Sequence, residues 1–312
     1  MADSGGNSGV YRKSLTVKRA KRAVILTFSL CFQVVRAFAQ PEDSSASPPA
    51  VYDLLTESAL VSHQAVYDLF LESTEGGAGG VVNAQGTMRY SLHKACKEWK
   101  TETVFSLDVS YELNGIDTTH WKQETLESQD GCRFDFAVYT FSDGKDKTEF
   151  KGTAVCRGQS KEVAISEPLV SEASFPLGVR FPVQQTLLML DAAKRGRSHV
   201  SSYIYDGTRL EGLYFMNAGI SPAVFETGGK RSVAGDASLL DGKSYRFDTA
   251  FFNDTGLDGE KEKDGRPFYE ASVRYYENGV SDDVVQDFGL YKLRSRLREI
   301  RRLSDEECSG RE

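Results

Sequence analysis

The chain has 312 residues, 40% of them apolar and 27% charged, with a formal net charge of −7 at pH 7. That length can bury a large core, and the composition excludes a disordered chain, a collagen or a multi-span membrane protein. The acidic balance argues against a nucleic-acid partner, because phosphate binding needs clustered Lys and Arg.

The amino end departs from this balance. Residues 1–39 hold seven basic residues and one acid, so the rest of the chain carries −13 against −7 overall. Arg12, Lys13, Lys18, Arg19, Lys21 and Arg22 precede a mostly apolar run over residues 23–35, and Ala37-Phe38-Ala39 follows. Basic lead, apolar run and small-x-small site are the order of a cleaved secretory signal. An uncut anchor is the alternative, but thirteen residues are too few to cross about 30 Å of hydrocarbon as a helix. The expectation is a signal peptide over 1–39 and a mature protein without a membrane span, placed in a bacterial periplasm. Residues 40–57 are read as a Ser/Pro-rich linker, 58–303 as one domain and 304–312 as a polar tail.

Within the domain, Ala65-Val-Tyr-Asp-Leu-Phe-Leu-Glu-Ser73 echoes Ala50-Val-Tyr-Asp-Leu-Leu-Thr-Glu-Ser58 once, which is too little for a repeat array. Tyr67, Leu69 and Leu71 share a face, so the second copy is read as a strand. Period-two segments follow at 103–113, 118–128, 132–141, 148–156 and 162–166. Asn114-Gly115, Asp130-Gly131 and Asp143-Gly144 supply turns between them. Residues 181–194 break the rhythm. Pro182 opens the segment, Gly196 closes it, and Leu187, Leu190 and Ala193 fall near one face, which predicts a helix covering an edge or mouth of the sheet. Further strands are predicted at 200–205, 213–217, 245–253, 269–276 and 283–293. Leu293, Leu297, Ile300 and Leu303 have helical spacing, yet the preceding strand could run on. Many short strands with Gly turns make the fold class mainly β: a sandwich, a barrel or a curled antiparallel sheet with one helix.

No catalytic set emerges. His63, His93, His120 and His199 form no metal-binding spacing. Gly228-Gly-Lys-Arg-Ser232 lacks the first glycine of a phosphate loop, with Val224 in its place. Asn253-Asp-Thr-Gly-Leu-Asp-Gly-Glu260 lacks the alternating acids of a Ca²⁺ loop. Trp99 and Trp121 are read as packing anchors, and the arginines over 294–302 as a solvated amphipathic face. No cofactor is expected. Export makes a structural disulfide the expected use of cysteine. Cys308, in the polar tail, is taken as unconnected. Among the others, Cys96–Cys156 and Cys96–Cys132 both gain roughly 4 kcal/mol from loop closure, which does not choose between them.

Several segments together resemble a known family. They are Leu60-Val-Ser-His-Gln-Ala-Val-Tyr-Asp-Leu69, Gly86-Thr-Met-Arg-Tyr90, the stretch from Cys96 to Trp99 and Glu127-Ser-Gln-Asp-Gly131. Gly152-Thr-Ala154, Leu177-Gly-Val-Arg-Phe-Pro182, Asp191-Ala-Ala193, Tyr205-Asp-Gly207 and Glu277-Asn-Gly-Val-Ser281 continue the series. In this order, over about residues 58–303, they resemble the EipB-like proteins, envelope integrity proteins of the alphaproteobacterial periplasm. Gln185 stands where that pattern leads one to expect a histidine, and Cys132 is extra. The resemblance implies a β-spiral, a long antiparallel sheet wound into a cup with an associated helix. It implies one disulfide between distant segments, for which the longer span favours Cys96–Cys156. It also implies a role in keeping the envelope intact under stress, without enzymatic activity.

A wound sheet with an apolar inner face suits an acyl chain or lipoprotein anchor. Leu107, Val109, Phe134, Phe136 and Val138 keep the spacing of such an inner face. The competing expectation is that these five fill the core. Two further function classes stay open: an adaptor binding other periplasmic envelope proteins through strand edges, and a hydrolase whose polar cluster is assembled only in the fold.

Overall fold

The computed structural model describes residues 60–74, 80–142, 148–210, 212–223, 232–253, 266–306 and 308. The expected signal peptide and linker lie outside them, as do most of the 228–232 and 253–260 segments. The elements are β1 (His63–Thr74), β2 (Val81–Ala95), β3 (Glu98–Tyr111), β4 (Gly115–Ser128), β5 (Arg133–Ser142), β6 (Thr148–Arg157), β7 (Ser160–Glu167) and β8 (Ser171–Pro176). Helix α1 (Pro182–Lys194) follows, then β9 (His199–Tyr205), β10 (Leu213–Pro222), β11 (Ala234–Gly235), β12 (Ser244–Asn253), β13 (Tyr269–Tyr276), β14 (Ser281–Asp287) and β15 (Tyr291–Arg302).

The fifteen strands among the described residues join one sheet. Its order runs β8 back to β1, then β15 down to β12, then β10 and β9, while β11 pairs β15. Each half is a meander of antiparallel neighbours, and the pairing of β1 with β15 joins the halves. The chain therefore enters the sheet at its middle, runs to one end, crosses through α1 and returns from the other end. The two ends face each other. Arg180, just before α1, donates its N–H to Tyr203 O (2.8 Å) and accepts from Tyr205 N (2.9 Å) along β9. Phe134 stacks on Phe181 with ring centroids 4.7 Å apart, and Phe175 lies 5.1 Å from Tyr205. Among the described residues the result is the expected mainly β, wound antiparallel sheet with one α-helix.

The helix forms where its sequence signals placed it. Its buried side includes Val183, Met189, Leu190, Ala192 and Ala193, which pack with Leu92, Trp99, Ile204, Met216 and Phe247 from both halves of the sheet. Trp99, 2% exposed, is a packing anchor as expected. Strand β2 was missed because Gly86 interrupts its pattern. A Cβ there would lie 2.0 Å from Ser106 O, so the glycine lets β3 run close alongside.

The carboxyl region resolves as two strands. The predicted 283–293 strand breaks at a turn where Gly289 has φ +77° and donates its N–H to Asp287 (2.8 Å). Residues 294–302 are strand, with Tyr291, Leu293, Ser295 and Leu297 buried in alternation. The register with β1 then shifts, pairing Leu297 with Tyr67 but Glu299 with Val66. The extra residue, Arg298, moves Ile300 onto the buried face. A bulge thus produced the spacing that looked helical.

The cysteine expectation is corrected. Cys96 is bridged to Cys308 (Cα–Cα 4.6 Å) and Cys132 to Cys156 (4.8 Å), so neither Cys96–Cys156 nor Cys96–Cys132 occurs and Cys308 is not free. β15 ends beside β1 and β2, and the segment after it follows them. Leu303 N donates to Ser62 O (2.9 Å), Glu306 N to Lys94 O (2.9 Å) and Cys96 N to Glu306 O (3.0 Å). Cys308 is thereby carried to the β2–β3 turn. The bridges close loops of 212 and 24 residues, which loop-closure entropy values at about 5 and about 3 kcal/mol. Paired serine substitutions, Cys96→Ser with Cys308→Ser and Cys132→Ser with Cys156→Ser, should lower unfolding free energy in that order in urea titrations. Non-reducing peptide mapping should recover these two links and no Cys96–Cys156 peptide.

Candidate ligand-binding cavity

Between α1 and the inner face of the sheet lies a cavity of about 320 Å³. This is within the range of small-molecule sites, roughly 300–1,000 Å³. The inner face of β3 explains where it sits. Trp99, Thr101, Thr103, Phe105, Leu107 and Val109 share one side by strand alternation. The large residues near each end are packed, and the two threonines between them leave space. β4 does the same beside it with Trp121, Gln123 and Thr125. Phe251, Tyr269 and Val284 face them across the cavity from the other half of the sheet, and Gln185, Thr186 and Met189 come from α1.

The walls are mainly carbon, with a few fixed polar groups. Thr101 and Thr125, cross-strand partners, share a 2.6 Å hydroxyl hydrogen bond. Gln123 donates from Nε2 to Asp206 O at 2.9 Å. The Asp206 carboxylate accepts from Thr208 N (3.0 Å) and Thr208 Oγ1 (2.8 Å). Burial pushes that carboxyl up to about 6, against the pull of the Thr208 bonds and of Arg209. Gln286 donates to the Tyr269 hydroxyl at 2.8 Å.

One buried carboxylate positions the helical wall. The N-cap residue Phe181 offers no side-chain acceptor, and Pro182 has no N–H. Glu127, fully buried at the end of β4, accepts Val183 N at Oε2 and Gln184 N at Oε1, both at 2.8 Å. Gln185 N turns back to Phe181 O at 2.9 Å, so the first turn is satisfied. Buried Lys161 donates to Val179 O (2.6 Å) and lies 3.9 Å from the Phe181 ring centroid. Burial pushes Lys161 down to about 8, with the Glu127 charge opposing the fall. Burial pushes Glu127 up to about 7, with the helix N–H groups and Lys161 opposing the rise.

The residues singled out from the sequence fall elsewhere. Leu107 and Val109 pack with Leu69, Tyr291 and Leu293. Phe134 and Phe136 belong to the aromatic cluster around Tyr205, and Val138 is buried on the same strand. None of the five lines the cavity. The structure does not assemble the histidines. His63 is buried and bonds Val61 O through Nδ1 (2.8 Å), His93 bonds Ser304 O, and His120 and His199 are exposed. Among the described residues no group of three or more His, Cys, Asp or Glu could hold a metal ion, and no helix is long and apolar enough to cross a membrane. Sequence reading gave no site role to Gln123, Glu127 or Asp206, and noted Gln185 only as a departure from the family pattern. The first two could have been found, because both lie on the β4 face that carries Trp121 and Thr125.

The sequence profile of the family described as EipB-like matches residues 55–304. The chain belongs to the EipB-like family. Cell envelope integrity protein EipB of Brucella abortus (strain 2308) is 24% identical over 239 residues, which cover 76% of this chain and 82% of that relative. A crystal structure from Brucella abortus, described as a beta-barrel-like protein of domain of unknown function DUF1849, matches with a TM-score of 0.65 and 22% identity. The match covers 78% of this chain and 99% of that one, and supports a shared fold.

The Glu127 cap has a pH signature. Its carboxyl is raised from the usual 4.5 to about 7, so between those values the folded state keeps a proton that the unfolded chain has lost. Its contribution to stability therefore falls as pH rises through that window and levels off above it. Urea unfolding at pH 5 and pH 7.5 should show a smaller loss of stability between the two for Glu127→Gln than for the wild type. Equal losses would refute the assignment.

Proposed function

We propose that the protein is an exported, non-enzymatic member of the cell envelope that helps keep it intact by holding an apolar chain of a lipid or lipoprotein in its cup. One observation carries the reading: the wound sheet and α1 leave between them a mainly carbon-lined space of about 320 Å³ instead of a fully packed core. That volume is at the lower end of small-molecule sites, which suits a single apolar chain. The name of the Brucella abortus relative, a cell envelope integrity protein, supports the envelope role. The basic lead, apolar run and Ala37-Phe38-Ala39 of the amino end support export to the periplasm, as do the two disulfides.

Native mass spectrometry of protein taken from envelope extracts should show an adduct of lipid mass, lost on solvent delipidation. Protein that is always adduct-free and that takes up no added acyl compound would remove the carrier reading. Amino-terminal sequencing of the same material should begin at Gln40.

An adaptor role is favoured by a separate feature. Leu169 and Val170, in the hairpin beside end strand β8, are 78% and 85% exposed. Exposed apolar groups next to a sheet edge suit strand addition by a partner. A photo-crosslinker at position 170 should then capture one dominant envelope protein in cells, and an even spread of adducts would count against this reading.

A further inference from the structure

Gln185 is 3% exposed, projects from the first turn of α1 and lines the cavity. Its Oε1 accepts the Ser202 hydroxyl of β9 at 2.5 Å. With Oε1 so engaged, Nε2 is left without a hydrogen-bond partner. A buried donor left unmade costs about 1–3 kcal/mol, so such a group in a ligand-sized space marks where a ligand oxygen belongs. The rest of the lining decides what kind of oxygen. Among the described lining residues Asp206 is the one carboxyl, and Lys, Arg and His are absent. A ligand carboxylate would enter a low-dielectric space with an acid on its wall and no cation to pair with, which is strongly unfavourable. A neutral carbonyl needs only one donor.

We infer that the cavity selects a neutral acyl compound, an ester or amide of a single chain, and that Gln185 Nε2 donates to its carbonyl oxygen while the chain lies along the Met189, Phe105 and Phe251 side of the space. This rests on the reading of the cavity as an apolar-chain site and names the headgroup chemistry. The amide is held in orientation by Ser202, and α1 is fixed in turn by Glu127, so the donor is set before the ligand arrives.

The full-length mature protein can be titrated at pH 8 with methyl decanoate, decanoate and decane, read by the fluorescence of Trp121 in the cavity wall. The ester is expected to bind at least about tenfold tighter than either of the others. Gln185→Leu should weaken the ester about tenfold and leave decane unchanged. Decanoate binding as tightly as the ester, or Gln185→Leu leaving the ester unaffected, overturns the inference while the apolar cavity stands. Binding of none of the three removes both readings. A measurement on the wild type alone guards against a misfolded variant. The infrared carbonyl band of ¹³C-labelled methyl decanoate should shift to lower wavenumber on binding, relative to the ester in hydrocarbon, and an unshifted band means that no donor meets it.

Discussion

The two backbone N–H groups of α1 that end on Glu127 hold the architecture in place. A helix that starts with Phe-Pro has no local acceptor for its first turn, and this first turn is buried. The acceptor therefore has to come from elsewhere in the chain, and it comes from the inner face of β4, 56 residues away from Val183. The bond fixes α1 against the first half of the sheet, while Val200, Ile204 and Met216 hold its other side against the second half. With α1 fixed at both sides, the space beneath it keeps its dimensions. Filling that space with side chains would have required larger residues at Thr101, Thr103 and Thr125. Thr101 and Thr125 are small and share a hydroxyl hydrogen bond across the strands, so their part of the wall is satisfied without being filled.

Much of the fold was legible because each strand–turn–strand unit is local. Alternation and Gly turns identified most of the strands, and the Pro and Gly around residues 181–196 marked the helix. What failed was long-range or parity-breaking. The inserted Arg298 shifts the buried phase of β15 and disguises a strand as a helix. Cys96–Cys308 depends on β1 pairing with β15, and no local spacing signals that pairing. Cys132–Cys156 is different. Position 144 lies midway between the two cysteines, and Asp143-Gly144 was recognised as a turn, so hairpin symmetry alone places them opposite each other. The register of Arg133 with Val155 follows from the same symmetry.

The site was less legible than the fold. Strand periodicity selects residues facing inward, and the five chosen from it do face the core. It does not say which inward residues touch each other and which face a void. That distinction came from size and polarity within one face: threonines and glutamines between larger residues. Gln185 stood out in the sequence as a departure from the family pattern, but its importance lies in an amide oriented by Ser202, a residue on a strand that follows the helix.

The pairing of β1 with β15 also governs when the molecule can become itself. The first strand of the sheet finds one of its two neighbours only after the last strand has been made, and contacts so distant in sequence form slowly. A chain delivered amino end first thus stays open until nearly all of it has arrived. Closure of the sheet is therefore a late, single event, and the Cys96–Cys308 link ties the last segment made to the β2–β3 turn.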